Sequence, residues 1–215
     1  MRLRRKDVAT TSQSEVADES TSAAAEPRAR GPRSVEELDS VEGYVDFGAL
    51  LIPASEFELR LNVDESTGRI MSLAWLQEDG GLEVSVFAAP RTSGAWDELR
   101  PELEADATQR GGTVETVEGP YGAEVLCALP VQLPDGTGAL QRTRIFAFQG
   151  DRWLLRGALV GRPVDDPENA EQWYAVFDGV VVRRGGEARP VGEALDLQLP
   201  PQIQLTDPQG GHTHG

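Results

Sequence analysis

The chain has 215 residues, 20 Lys+Arg against 36 Asp+Glu for a formal net charge of −16, one Cys, two His and 39% hydrophobic residues. That length and apolar content support one domain with a real core. The acidity argues against binding nucleic acid, whose affinity rests on Lys and Arg at the phosphates. A single Cys excludes an intrachain disulfide or a Cys-based zinc site, and no apolar run reaches membrane-spanning length.

Residues 1–33 read as a disordered N-terminal arm. Its Ser/Thr/Ala/Glu-rich stretch over residues 8–26 has no apolar periodicity and too little apolar surface to offset the entropy of ordering. The basic start, Met1 to Lys6, is followed by Asp7 and polar residues rather than an apolar signal region, so a cytoplasmic protein is expected. The arm holds 7 basic and 5 acidic groups, a net of +2; the rest holds 20 − 7 = 13 basic and 36 − 5 = 31 acidic groups, a net of −18. The domain is expected over residues 34–200. Residues 201–215, with both histidines, His212 and His214, read as a flexible tail.

Within the domain, Phe57–Val63 alternates apolar and polar residues as a half-buried strand does. Strands are also expected over 43–52, 69–77 and 82–88, separated by turn sequences such as Asp79-Gly80-Gly81. Trp96, Leu99, Leu103 and Ala107 then recur at helical spacing, with Ser93 as the expected N-cap and Gly111-Gly112 as the stop. Pro101 predicts a kink or break near Arg100. Strands return at 113–118, 123–129, 143–148 and 152–160. A second helix is well signalled: Asp166 caps it, Pro167 takes its first position, Ala170, Trp173, Val176 and Phe177 form its buried stripe, and Gly179 ends it. Val180–Val182 continues as a strand or extends that helix. Strand runs separated by helices, with short turns and no βαβ alternation, predict an α+β fold: an antiparallel β-sheet with two main helices packed on it.

The segment around Gly150 carries most of the functional interest. A Gly150-Asp151 turn predicts Phe148 opposite Trp153 and Phe146 opposite Leu155. That makes an aromatic core face with Arg142 and Arg144 at its far edge, and puts Arg152 and Arg156 on the other face. Residues 142–162 hold five arginines and one acid, Asp151, in a domain that is otherwise strongly acidic. Arg144, Arg152 and Arg156, with Trp153, are therefore the candidate ligand- or partner-binding residues. Against them stands internal pairing with the surplus carboxylates. Cys127 reads as a buried structural thiol, since no base or cation lies near it in sequence. The folded part lacks histidine, which disfavours triad hydrolysis and His-ligated zinc. His212-Thr-His214 is too short and isolated for a metal site. The pairs Asp64/Glu65, Asp97/Glu98 and Asp165/Asp166 sit at turns and caps, where carboxylates have local reasons to be. No catalytic residue, metal site or cofactor is assigned.

Four segments together resemble a known family: Gly43–Leu50 (GYVDFGAL), Phe87–Asp97 (with FAAPR and SGAWD), Glu118–Gly122 (EGPYG) and Arg152–Gly157 (RWLLRG). They are similar to an actinobacterial family that carries domain of unknown function 3710, over about Gly31 to Pro200. The resemblance implies a cytoplasmic protein and carries no catalytic residue. The element order also looks like the Mog1/PsbP-like α/β sandwich, whose members mostly bind partners. The expected function is a non-enzymatic protein-binding or accessory module. The alternative is a small-molecule anion binder, or low-specificity enzyme, using the Arg144/Arg152/Arg156 band, and a homodimer through a sheet edge is a third reading.

Overall fold

A computed structural model describes residues 30–133 and 135–201. The expectations for residues 1–29, for His212 and His214, and for the tail after Pro201 lie outside the described residues. Among the described residues there are eleven strands: β1 (Arg33–Ser34), β2 (Tyr44–Asp46), β3 (Leu50–Pro53), β4 (Glu58–Val63), β5 (Ile70–Gln77), β6 (Gly80–Ala88), β7 (Thr113–Gly119), β8 (Gly122–Gln132), β9 (Gly138–Gly150), β10 (Trp153–Gly161) and β11 (Val181–Val182). The helices are α1 (Ala95–Gln109) and α2 (Pro167–Asp178). A seven-stranded antiparallel sheet has the order β4-β5-β6-β10-β9-β8-β7, and a four-stranded sheet the order β1-β11-β3-β2. The fold is α+β, as the pattern of elements predicts.

Alternation divides the large sheet into two faces. On one, Leu73, Trp75, Leu82, Val84, Val86, Phe146, Trp153, Leu155 and Leu159 pack against α2 (Ala170, Trp173, Tyr174, Phe177) and the small sheet (Leu50, Ile52, Val182). On the other, Val125, Cys127, Ala147 and Leu154 pack against α1 through Trp96 and Ala107. Residues 192–198 stitch the sheets together: Leu195 N–H donates to the Val86 carbonyl at 2.9 Å and Gln198 N–H to the Phe47 carbonyl at 2.9 Å.

Three details depart from expectation. α1 runs unbroken through Pro101. Proline removes one ladder donor there, while Arg100 spans the gap by pairing with Asp97 and Glu104 and Trp96 and Ala107 anchor both halves. Its N-terminus is not capped by Ser93. Gly94 holds the cap position, and the Ala95 N–H donates to Gln149 Oε1 at 2.9 Å, so the sheet caps the helix. Third, the β9–β10 register is shifted by two residues. Phe148 faces Leu155, Phe146 faces Gly157 and Trp153 faces Gly150, so the turn is Asp151-Arg152. A Cβ at Gly150 would overlap the Trp153 indole, and one at Gly157 the Phe146 ring. Each large ring therefore lies over a glycine, which neither of the predicted aromatic pairs would have allowed. A shift of two preserves both faces.

Residues Arg30–Arg33, assigned to the arm by composition, lie against the domain. Arg33 and Ser34 pair in parallel with Val181 and Val182, and Gly31 sits on the Phe148 ring. α2 follows its signals: Asp166 accepts from the Glu168 and Asn169 N–H groups at 3.1 and 3.2 Å. Val181–Val182 forms a strand, and Val180 does not extend the helix.

Candidate functional site

The predicted arginine band is divided by the sheet. Arg144, opposite Leu159, lies on the aromatic face; Arg156, opposite Ala147, lies on the other; Arg152 sits in the turn. The three do not share a pocket, and each has its own surroundings.

Arg144 points into a polar cluster under α2. Its Nε lies 3.4 Å from Glu124 Oε2 as an ion pair rather than an aligned hydrogen bond. Glu124 is fully buried, and the Tyr174 hydroxyl donates to it, 2.9 Å from Oε2 and 3.1 Å from Oε1. Burial pushes the Glu124 carboxyl above its ordinary range, although the Tyr174 hydrogen bond and the Arg144 and Arg30 charges pull it down. Beside it the Tyr121 hydroxyl donates to Asp178 Oδ1 at 2.6 Å. Burial and the Asp178 carboxylate push the Tyr121 phenol far above its usual value. Arg30 closes the cluster from the N-terminal side. It donates to Glu171 at 3.0 Å and Asp178 at 3.2 Å, and lies 5.4 Å from the Tyr174 ring centroid and 5.9 Å from that of Tyr121. These groups are engaged with one another, Arg144 Nε through charge rather than an aligned hydrogen bond, which marks the cluster as a structural network.

Arg156 lies over the Phe87 ring, 5.2 Å from its centroid, with Nη2 3.5 Å from Ser85 Oγ. Burial holds its guanidinium below the usual arginine value, with the Glu83 charge acting against this. Trp153 is 1% exposed, and its indole N–H donates to Ser34 Oγ at 2.9 Å. It is a core residue that pins the strap preceding β2. Arg152 has φ +61°, the single non-glycine residue with positive φ among those described. Its carbonyl accepts from the Ala89 N–H at 3.0 Å and from Arg184 Nε at 2.9 Å.

Sequence reasoning missed Tyr121, Glu124, Tyr174 and Arg30. One signal was available for Glu124. It and Leu126 alternate with Val125 and Cys127, which are buried against α1, so a strand covered on both faces would bury Glu124 as well. Cys127 is buried, its thiol pushed up by burial and then by Glu104. The carboxylate pairs act locally: Asp64 accepts from the Ser66 and Thr67 N–H groups, Asp166 caps α2, and Asp165 pairs with Arg142 at 2.6 Å. No group of three or more His, Cys, Asp or Glu suited to a metal ion is found among the described residues. No helix among them is long and apolar enough to cross a membrane.

Two surface features remain. An open cleft of about 950 Å³ lies between the Arg30–Ser34 strap and the β9–β10 turn, lined by Arg33, Glu37, Gln149, Asp151 and Glu171 among others. The second feature is a ribbon. β7 pairs with β8 only as far as Thr113–Ala128, and β10 pairs with β9 only as far as Val160–Thr143. Leu129–Gln132 and Gly138–Gln141 therefore pair with each other and extend past the sheet with both outer edges open. Leu140 is 68% exposed and Leu133 45% exposed near its end. The ribbon springs from the end of the sheet where α1 finishes and β7 begins, with Asp106 and Arg110, paired at 3.6 Å, at the end of α1.

A family model described as "Protein of unknown function (DUF3710)" matches residues 31–206. No curated protein matches the chain.

Proposed function

Since the chain belongs to this family, whose description assigns no activity, its role is argued from geometry, and we propose that it is a non-enzymatic protein-binding module of the cytoplasm. The observation that carries this reading is the projecting β8–β9 ribbon. A two-stranded ribbon has little stability of its own in water. Here it presents two exposed leucines and unpaired backbone edges, features that natural sheets normally cover or blunt. A partner that adds an extended segment along the ribbon satisfies those edges and buries Leu133 and Leu140. The net charge of −18 outside residues 1–33 favours a partner segment that is basic as well as apolar. The most conspicuous polar cluster, around Glu124, supports the non-enzymatic part of the reading, because Glu124 and Tyr174 at its centre are buried and engaged with each other.

The test places a photo-crosslinking residue at position 140 of the full chain in its native cell. A single stoichiometric adduct is expected, carrying a basic and apolar contact segment, and a Leu133→Asp/Leu140→Asp chain should lose the same partner while Arg60→Gln keeps it. No adduct, capture that survives the double substitution, or turnover in a metabolite screen would overturn the proposal. An adduct with a second copy of the chain would replace it by homodimerisation through the ribbon.

A further inference from the structure

Arginine is matched almost everywhere in this domain. Ten of the fifteen described arginines have a carboxylate within 4.0 Å. Of the other five, Arg33 donates to the Tyr44 hydroxyl and Arg156 lies on Phe87, while Arg91 stands on the exposed loop after β6. The remaining two, Arg152 and Arg184, are tied to each other. Arg184 Nε donates to the Arg152 carbonyl at 2.9 Å, and Arg152 Nη2 donates to the Gly185 carbonyl at 2.9 Å. Arg184 Nη1 also reaches the Glu187 carbonyl at 3.2 Å. Both guanidinium groups are thus held in place by backbone carbonyls, which orient them without neutralising them. A guanidinium carries five N–H donors, so each keeps donors in excess of these bonds.

Asp151 stands exposed beside Arg152 with no ion pair among the described residues, and the other nearby carboxylates are engaged by Arg189. Arg189 holds Glu193 at 3.1 Å and Glu187 at 3.5 Å, and also pairs with Asp196. Like charges crowd the corner: after burial, the charges of Arg152 and Arg189 are what push the Arg184 guanidinium down, against Glu187 and Glu193. The backbone adds a second, independent sign. Arg152 occupies the left-handed region, at a cost of about 1 kcal/mol or more for a residue with a Cβ, where glycine would serve the turn without strain. Strained residues of this kind concentrate at ligand clamps. An open cleft of about 730 Å³, lined by Arg183, Arg184 and Arg189 and also by Asp46, Glu187 and Asp196, gives a ligand access to the Arg184 side of the corner.

We infer that the Arg152–Arg184 corner is a binding site for a phosphate group, the two fixed guanidinium forks matching the charge and the several acceptor oxygens of a phosphate dianion. The site is separate from the ribbon and does not rest on partner binding. Phosphate reaches such a site either free or carried on a phosphorylated side chain, and the two are separable by experiment.

The test titrates the full chain at constant ionic strength with inorganic phosphate, a phosphoserine peptide and malonate, following backbone amide shifts by NMR. Inorganic phosphate should give saturable shifts centred on Arg152, Ala89 and Gly185. Arg184→Gln and Arg152→Gly should each weaken binding by at least about tenfold, while Arg60→Gln leaves it unchanged. Glycine accepts φ +61° readily, so Arg152→Gly retains the turn and its loss of binding reads as loss of the guanidinium. Tighter binding of the peptide than of inorganic phosphate identifies a phosphorylated protein as the source; equal or weaker binding identifies the free ion. Shifts that do not saturate, malonate binding as tight as phosphate, or equal binding by Arg184→Gln and Arg152→Gly would overturn the inference.

Discussion

Arg144 and Arg152 stand on one β-hairpin, eight residues apart, and have opposite electrostatic fates. Arg144 lies on the covered face, where Glu124 from the neighbouring strand and Tyr174 from α2 converge on it. Arg152 lies at the turn, anchored by carbonyls and beside a second arginine. The surplus of acid in the domain is the same for both. What separates them is the neighbour across the sheet. A buried charge must be paired or it destabilises the fold, whereas a half-exposed one at a turn tolerates being left unmatched because water screens it. Overall composition therefore says little about which cation is available for a ligand.

The largest effect should come from breaking the matched side. Glu124→Ala strands the Arg144 guanidinium and the Tyr174 hydroxyl in the interior and should cost about 3–5 kcal/mol, read from the urea midpoint. Glu124→Gln keeps an acceptor for Tyr174 and should cost less, and it also isolates a pH effect. The folded-state value of Glu124 lies above its ordinary 4.5. The native state then holds this proton at pH values where the unfolded chain has released it, so ν_N exceeds ν_U and stability falls as pH rises. The group's contribution is complete below about pH 4.5 and is lost as pH rises through the folded value. Urea midpoints measured between about pH 4 and about pH 8 should show this decline in the native chain and a flatter profile in Glu124→Gln; identical profiles would mean that Glu124 does not titrate differently on folding.

An intermediate effect is expected at the edge of the same cluster. Tyr121→Phe removes the hydrogen bond to Asp178 while keeping the ring stacked on Phe146 and packed against Phe177, and should cost about 1.5–3 kcal/mol in a thermal or urea melt. A loss as small as that of a surface substitution would show that Arg30 alone satisfies Asp178. The smallest effect belongs to a pair in neither region. Arg60 and Glu58 meet at 2.9 Å on the edge strand with both side chains more than half exposed, so Arg60→Gln should shift stability by less than about 0.5 kcal/mol. A larger shift would weaken the use of that variant as a control.

Legibility differed between fold and site for the same physical reason. The α2 cap, its proline and its apolar stripe are local signals that map onto Pro167–Asp178, except that Tyr174 is buried where the stripe predicts Val176, and Val176 is only partly buried. The two faces of the β9–β10 hairpin were also legible, because alternation assigns a face whatever the register. The site residues were not. That Arg144 meets Glu124 depends on β8 lying beside β9, that Arg30 covers Tyr121 depends on the strap returning to α2, and that Arg152 meets Arg184 depends on the chain after β11 reaching the β9–β10 turn.

The sequence by itself determined the element types, the amphipathic faces and the acidic character of the domain, since these follow from residue periodicity and charge. The tertiary structure alone decided the register, the capping of α1 by Gln149 and the burial of Glu124. It also decided the small sheet, which joins Arg33–Ser34 and Leu50–Pro53 to Val181–Val182. Each of these depends on contacts between residues far apart in the chain. Such contacts are chosen by how side chains fit against one another, as when Trp153 settles over Gly150, and no local pattern encodes that fit.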